Sequence, residues 1–242
     1  DEVNGYQAIV QPTQDYLAEV EFDESGLTKI GGSLKVHVNA PDAAPFVEIS
    51  GKAAWTKSDE KASTDGEITA EVKNPHTVDL GGGYSVKILS GAANAKLEKS
   101  DLTKVSATNL AAELHDEEGP FLKATGNIAW DRKGGGSGTF TADGSVTVLH
   151  PRTVWENGDY SAEIQPGTTG SVSIDNKLGV KEVNGTVKGV VKKSGDDFVG
   201  IELKGKYVNE GGGKSKLDGS ATAKILSVIP VGEGQTGIYT VS

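Results

Sequence analysis

The chain contains no cysteine and no methionine. Without cysteine there can be no disulfide, no thiolate metal site and no cysteine nucleophile. Without a methionine even at position 1, the sequence is expected to begin at a processed end or at the end of a fragment of a longer repeat array. Removal of a signal peptide or maturation of a virion protein would produce such an end, as would excision of the fragment, and the expectation is an exported protein of an extracellular surface or a virion.

Basic residues are outnumbered. Lys and Arg total 24 against 34 Asp and Glu, for a formal charge of −10, and no Lys/Arg cluster opposes that balance. Nucleic-acid binding needs a basic footprint to displace counterions, so it is not expected. No apolar run approaches the roughly 18 residues of a membrane helix, and aromatics at 6% are too few for the girdles of a transmembrane barrel. The sequence therefore predicts no membrane insertion. Gly-x-Ser-x-Gly, His-Glu-x-x-His and an Asp-x-Asp-x-Asp-Gly calcium loop are all missing. Gly134-Gly135-Gly136-Ser137-Gly138 has no buried strand and helix around it to make a phosphate site.

What is present is glycine, 33 of them, and Val, Ile and Thr alternating with polar residues along most of the chain. That period-2 pattern predicts an all-β protein of antiparallel strands with little or no helix, in a sandwich-like or elongated sheet array. Asn109-Leu110-Ala111-Ala112-Glu113-Leu114 has a helical look, but its counterparts Ser33–Val38 and Gly185–Val190 alternate, so it too reads as strand.

A unit of about 75 residues recurs three times. Its first landmark is Asn4-Gly5, Asp65-Gly66, Asp143-Gly144 and Asp218-Gly219, read as type I′ hairpin turns. Its second is a strand-closing proline, Pro12, Pro75, Pro151 and Pro230, and its third a strand-opening tyrosine, Tyr16, Tyr84, Tyr160 and Tyr239. In the last three copies the proline-to-tyrosine spacing is identical. The fourth landmark is a pair of aromatics at one constant odd separation: Phe46 and Trp55, Phe121 and Trp130, Phe198 and Tyr207. Odd separations flip faces along a strand, so either a bulge or turn intervenes, with Gly51 and Gly126 as bulge sites, or the rings face opposite ways.

The units read as 16–83, 84–159 and 160–238, each of about five strands, giving about 15 in all. Residues 1–15 precede the first full unit and 239–242 begin a further strand. Gly134–Gly136 and Gly211–Gly213 read as hairpin loops rather than linkers, so one continuous β architecture is expected.

The chemistry-bearing residues do not converge. His37, His76, His115 and His150 fall at non-equivalent places, the repeated aspartates are explained as turn residues, and Asp116-Glu117-Glu118 and Asp196-Asp197 read as loop tips. No catalytic residue, metal ligand or cofactor is predicted. Trp55, Trp130 and Tyr207 read as packing residues, whereas Trp155 has no aromatic counterpart in the other units. Trp155, with Tyr6 and Tyr239 in the terminal strands, forms the candidate interaction surface.

A protein that repeats one unit without a unique polar constellation is expected to be a non-enzymatic structural or interaction protein of an extracellular, cell-surface or virion assembly. Self-association, or pairing with neighbouring assembly proteins, through the terminal strands is the expected partnership, since incomplete end units leave strand edges to pair. The alternatives are a binding module for a carbohydrate or small apolar ligand and, further off, a glycoside hydrolase using dispersed acids.

Overall fold

The computed structural model describes residues 2–3, 6–11, 18–24, 26–39, 44–58, 61–132, 138–176, 179–227, 229–230 and 236–237. Among these there is strand and turn but no helix. The strands are β1 (Glu2–Val3), β2 (Tyr6–Val10), β3 (Glu19–Asp23), β4 (Gly26–Asn39), β5 (Pro45–Ser58), β6 (Lys61–Val72) and β7 (His76–Gly81). There follow β8 (Tyr84–Glu98), β9 (Asp101–Asp116), β10 (Gly119–Asp131), β11 (Thr139–Val148), β12 (Arg152–Asn157) and β13 (Tyr160–Ile164). The last are β14 (Thr169–Asp175), β15 (Gly179–Lys193), β16 (Asp196–Gly211), β17 (Lys214–Ile225), β18 (Ile229–Pro230) and β19 (Thr236–Gly237). Strands β1 to β17 belong to one sheet and β18–β19 pair separately. Every strand pair with a resolved register is antiparallel.

The all-β expectation holds, and so does the strand assignment for Leu102–Leu114, which lies within β9. Tyr84 and Tyr160 open β8 and β13, and Pro75 and Pro151 sit in the gaps after β6 and β11.

The Asp-Gly landmarks are not turns. Asp65-Gly66, Asp143-Gly144 and Asp218-Gly219 lie inside β6, β11 and β17, which run straight through them. The physical reason is crowding. A Cβ at Gly66 would meet Lys52 O at 3.1 Å and Ala53 Cβ at 3.2 Å, so glycine is there for close strand approach. Chain reversal falls instead at Gly81-Gly82-Gly83 and Gly211-Gly212-Gly213, where every glycine has positive φ. Further reversals, at Gly26, Lys99-Ser100, Gly119, Gly158, Gly179 and Ser194-Gly195, again have positive φ. Because Asp-Gly does not end strands, they reach 16 residues. The described residues still form nineteen strands, against the fifteen or so expected, because short ones of two to six residues accompany the long ones. Asn4-Gly5 and Gly134–Gly136 lie outside the described residues.

The bulge expected at Gly51 is elsewhere. Gly51 pairs regularly with Leu34 and Ile68, and the register of β4–β5 slips between Val38 and Asn39, opposite Phe46. The β15–β16 register slips at the matching place, between Val191 and Lys192 opposite Phe198. Gly126 is interior to β10.

The chain divides into two compact units. One comprises residues 1–80, 86–112 and 125–142, the other 81–85, 113–124 and 143–242. In the first, the three-stranded meander β4–β5–β6 aligns Ile30 with Trp55 and Thr64, Gly32 with Ala53 and Gly66, and Val36 with Ile49 and Ala70. In the second, β15–β16–β17 aligns Val183 with Tyr207 and Leu217, Gly185 with Gly205 and Gly219, and Gly189 with Ile201 and Ala223. The two meanders share one register. Each also carries two short strands end to end along one edge, β2 and β3 on β4 and β13 and β14 on β15. At both joints a glutamine before a proline bridges the gap: Gln11 N donates to Lys35 O at 2.9 Å and Gln165 N to Lys188 O at 2.8 Å.

Little of this surface is covered. Among the described residues only Val148, 6% exposed, and Thr168, 8% exposed, are buried. The accessible surface is 16046 Å², against about 10,000 Å² for a folded monomer of this mass.

Candidate interaction surfaces

Directly opposed residues in an antiparallel ladder share a face, and successive residues alternate. The registers therefore sort each unit's side chains into two sets. In the first unit one face carries Ile30, Leu34, Val36, Val38, Val47, Ile49, Trp55, Ile68 and Val72. Its other face carries Lys29, Lys35, His37, Glu48, Lys52, Glu67 and Glu71. In the second unit the apolar face runs through Ile164, Val172, Val183, Val187, Leu203, Tyr207 and Leu217. Opposite lie Glu163, Glu182, Lys188, Glu202, Lys204 and Lys206.

On the polar faces the charges bind one another. Glu48 receives Lys35 Nζ at 2.7 Å and His37 Nε2 at 3.0 Å, with Lys73 Nζ at 3.7 Å. The Lys35 hydrogen bond leads in holding its carboxyl below the usual range, against some opposing desolvation. Asn94 Nδ2 donates to Glu67 at 2.6 Å, and Lys192 reaches Glu163 at 2.7 Å. A shallow depression of about 1000 Å³ opens on the first unit's polar face, where Gly31 and Ala54 leave space between Lys52, Asp65, Glu67 and Lys96. No aromatic ring lines it. Among its acids, Glu19 accepts from Lys29 at 2.8 Å and is shifted downward by that bond, and Asp65 accepts from Lys99 N at 2.9 Å.

The aromatic landmarks meet one another. Tyr84 approaches Phe121 edge to face at 6.5 Å, and Tyr160 approaches Phe198 at 6.3 Å in the same geometry. The Phe46, Phe121 and Phe198 carbonyls accept from Lys73 N, Leu149 N and Leu226 N at 2.8, 2.9 and 3.0 Å. The residue after the proline covers the ring in two cases, His76 on Phe46 at 4.7 Å and Arg152 on Phe121 at 5.4 Å. The repeated residues thus mark one recurring contact.

The four histidines sit in separate settings: His37 on Glu48, His76 on Phe46, His115 at 3.4 Å from Glu113, and His150 exposed. Among the described residues no group of three or more His, Asp or Glu is placed to hold a metal ion.

Trp155 is 50% exposed and pairs with Ala162 beside a bulge in β12–β13. Ala162 pairs in turn with Val191, so Trp155 belongs to the apolar face of the second unit. Trp55, Trp130 and Tyr207 are half-buried, and the Trp130 indole lies over Gly138, where no side chain would fit. Tyr6 opens β2 and pairs through its backbone with Val3, while Tyr239 lies outside the described residues. Aromatics stand out in the sequence, whereas Val187, Leu203 and Leu217 do not draw attention one by one. Strict alternation in β15–β17 was the available signal, because it collects those aliphatics on one side.

The chain matches no protein-family model, no curated protein and no solved structure.

Proposed function

We propose that this is a non-enzymatic structural or interaction protein, built from β repeats, that supplies sheet surface to an extracellular, cell-surface or virion assembly. One observation carries the reading: each unit has a sheet face of aliphatic side chains left about half exposed or more, such as Ile30, Leu34 and Ile68, and Val187, Leu203 and Leu217. Soluble proteins seldom leave contiguous apolar surface open unless something docks there. The recurring tyrosine–phenylalanine contact and the shared register of the two meanders support a repeated architecture.

The alternatives find less support. A glycosidase needs a carboxylic acid whose pKa is raised, whereas Glu19 in the polar depression is shifted down by Lys29. A carbohydrate site usually offers an aromatic platform, and that depression has none. Terminal strand addition, expected from the sequence, remains part of the proposal, with β1, which pairs with β2 while β2 pairs with β4, as the N-terminal strand concerned.

Imaging together with native mass of the purified chain tests this. Discrete multimers or rows are the expected result. A monomer with no affinity for apolar surfaces would overturn it.

A further inference from the structure

We infer that the apolar face of β13–β17 is covered, face to face, by the same face of a second copy of this chain. The inference rests on the proposed interaction role and names the partner.

Val187 and Leu203 are each 44% exposed and Leu217 is 78% exposed, and all three lie on the face that carries no charge between the two ends of the β15–β16 ladder. The reverse face carries Lys188, Glu202, Lys204 and Lys206, which keep it wetted. Covering one face and not the other follows from the register.

With β13 and β14 sharing one edge of β15, the face is four strands wide. At about 4.8 Å between strands and 3.3 Å per residue along the roughly twelve paired residues of β15, it spans roughly 750 Å². Each partner in a standard stable interface contributes about 800 Å². A single small ligand would cover only a fraction of it.

Val183, Tyr207 and Leu217 form one ridge across β15–β17, and Val187, Leu203 and Ala221 form another. Between them run Gly185, Gly205 and Gly219, with no side chain to fill the gap. Side chains are sterically barred at Gly185, where a Cβ would lie 2.8 Å from Thr169 O, while the space over Gly205 is open to 4 Å. Ridge and trough lie side by side on one face, so a two-fold axis between them seats each copy's Val187–Leu203 ridge in the other's trough. That is the self-complementarity a symmetric dimer requires.

The chain's lack of cysteine makes a direct test simple. In the intact chain, Val187→Cys and Leu203→Cys should each be crosslinked into dimers by a short bismaleimide, and Lys188→Cys, on the reverse face, should not. By equilibrium sedimentation Leu203→Lys should weaken self-association by about 100-fold, with Lys204→Glu close to wild type. Equal crosslinking at Val187→Cys and Lys188→Cys would overturn the inference, as would association unchanged by Leu203→Lys. If Leu203→Lys does not fold, judged by its circular dichroism, the crosslinking decides. A monomeric wild type that binds anilinonaphthalene sulfonate removes the second copy but keeps an apolar docking role. A monomer that does not bind the dye removes both.

Discussion

The hydroxyl of Thr168 makes two hydrogen bonds to one residue: Oγ1 donates to Lys188 O at 3.1 Å and accepts from Lys188 N at 2.9 Å. Thr168 stands where β13 has ended at Ile164 and β14 has not yet begun, so a side chain completes the ladder across the joint. Its own backbone carbonyl takes Val148 N at 2.9 Å, which ties β11 to the same point. Thr168→Val keeps the shape and leaves Lys188 N without its acceptor. A loss of about 1–2 kcal/mol is expected, seen as a melting temperature lower by about 2–8 °C. Thr168→Ser should lose much less. Equal melting of wild type and Thr168→Val would show that the joint is held by something else.

Arg152 grips Asp116 with Nε and Nη2, both at 2.7 Å, and lies over the Phe121 ring. The Arg152 hydrogen bond is the main cause holding the Asp116 carboxyl below its ordinary value. A carboxyl with a depressed folded-state pKa contributes stability above the unfolded pKa, near 4, and loses it as the pH falls through the lower folded value. The difference in melting temperature between wild type and Asp116→Asn should therefore be full at neutral pH and shrink below about pH 4. A difference that is constant down to acid pH would contradict the pairing.

Hydrogen exchange separates true turns from the Asp-Gly sites. Asp218 and Gly219 pair with Lys206 and Gly205, so their segment should exchange with the β16–β17 ladder. Gly212 and Gly213, at positive φ in the reversal, should exchange orders of magnitude faster. Fast exchange at Gly66 and Gly219 would restore them as turns.

Much of the fold was legible because period-2 alternation is a local property. The strand pattern, the tyrosines opening β8 and β13 and the prolines between strands all follow from residues that act on their immediate neighbours. Asp-Gly misled because glycine has two uses, positive φ and the absence of a Cβ. Only the neighbouring strand, with Lys52 O pressed against Gly66, shows which applies. Phe46 and Phe198 carried the opposite lesson. Their odd spacing to Trp55 and Tyr207 signalled a change of face, but the bulge lay at the phenylalanine rather than at a glycine. The candidate surface was least legible. Trp155 stood out by being unlike its counterparts, whereas the Val187–Leu203 ridge becomes a surface only when three strands are set in register.

Association of the intact chain tests the account most directly. Equilibrium sedimentation from nanomolar to high micromolar concentration should give a mass that rises from 25.1 kDa to at least twice that value. Apolar-dye binding should fall over the same range as the faces become covered. A mass fixed at 25.1 kDa throughout, with no dye bound at any concentration, would contradict the claim that this protein works through its exposed sheet faces.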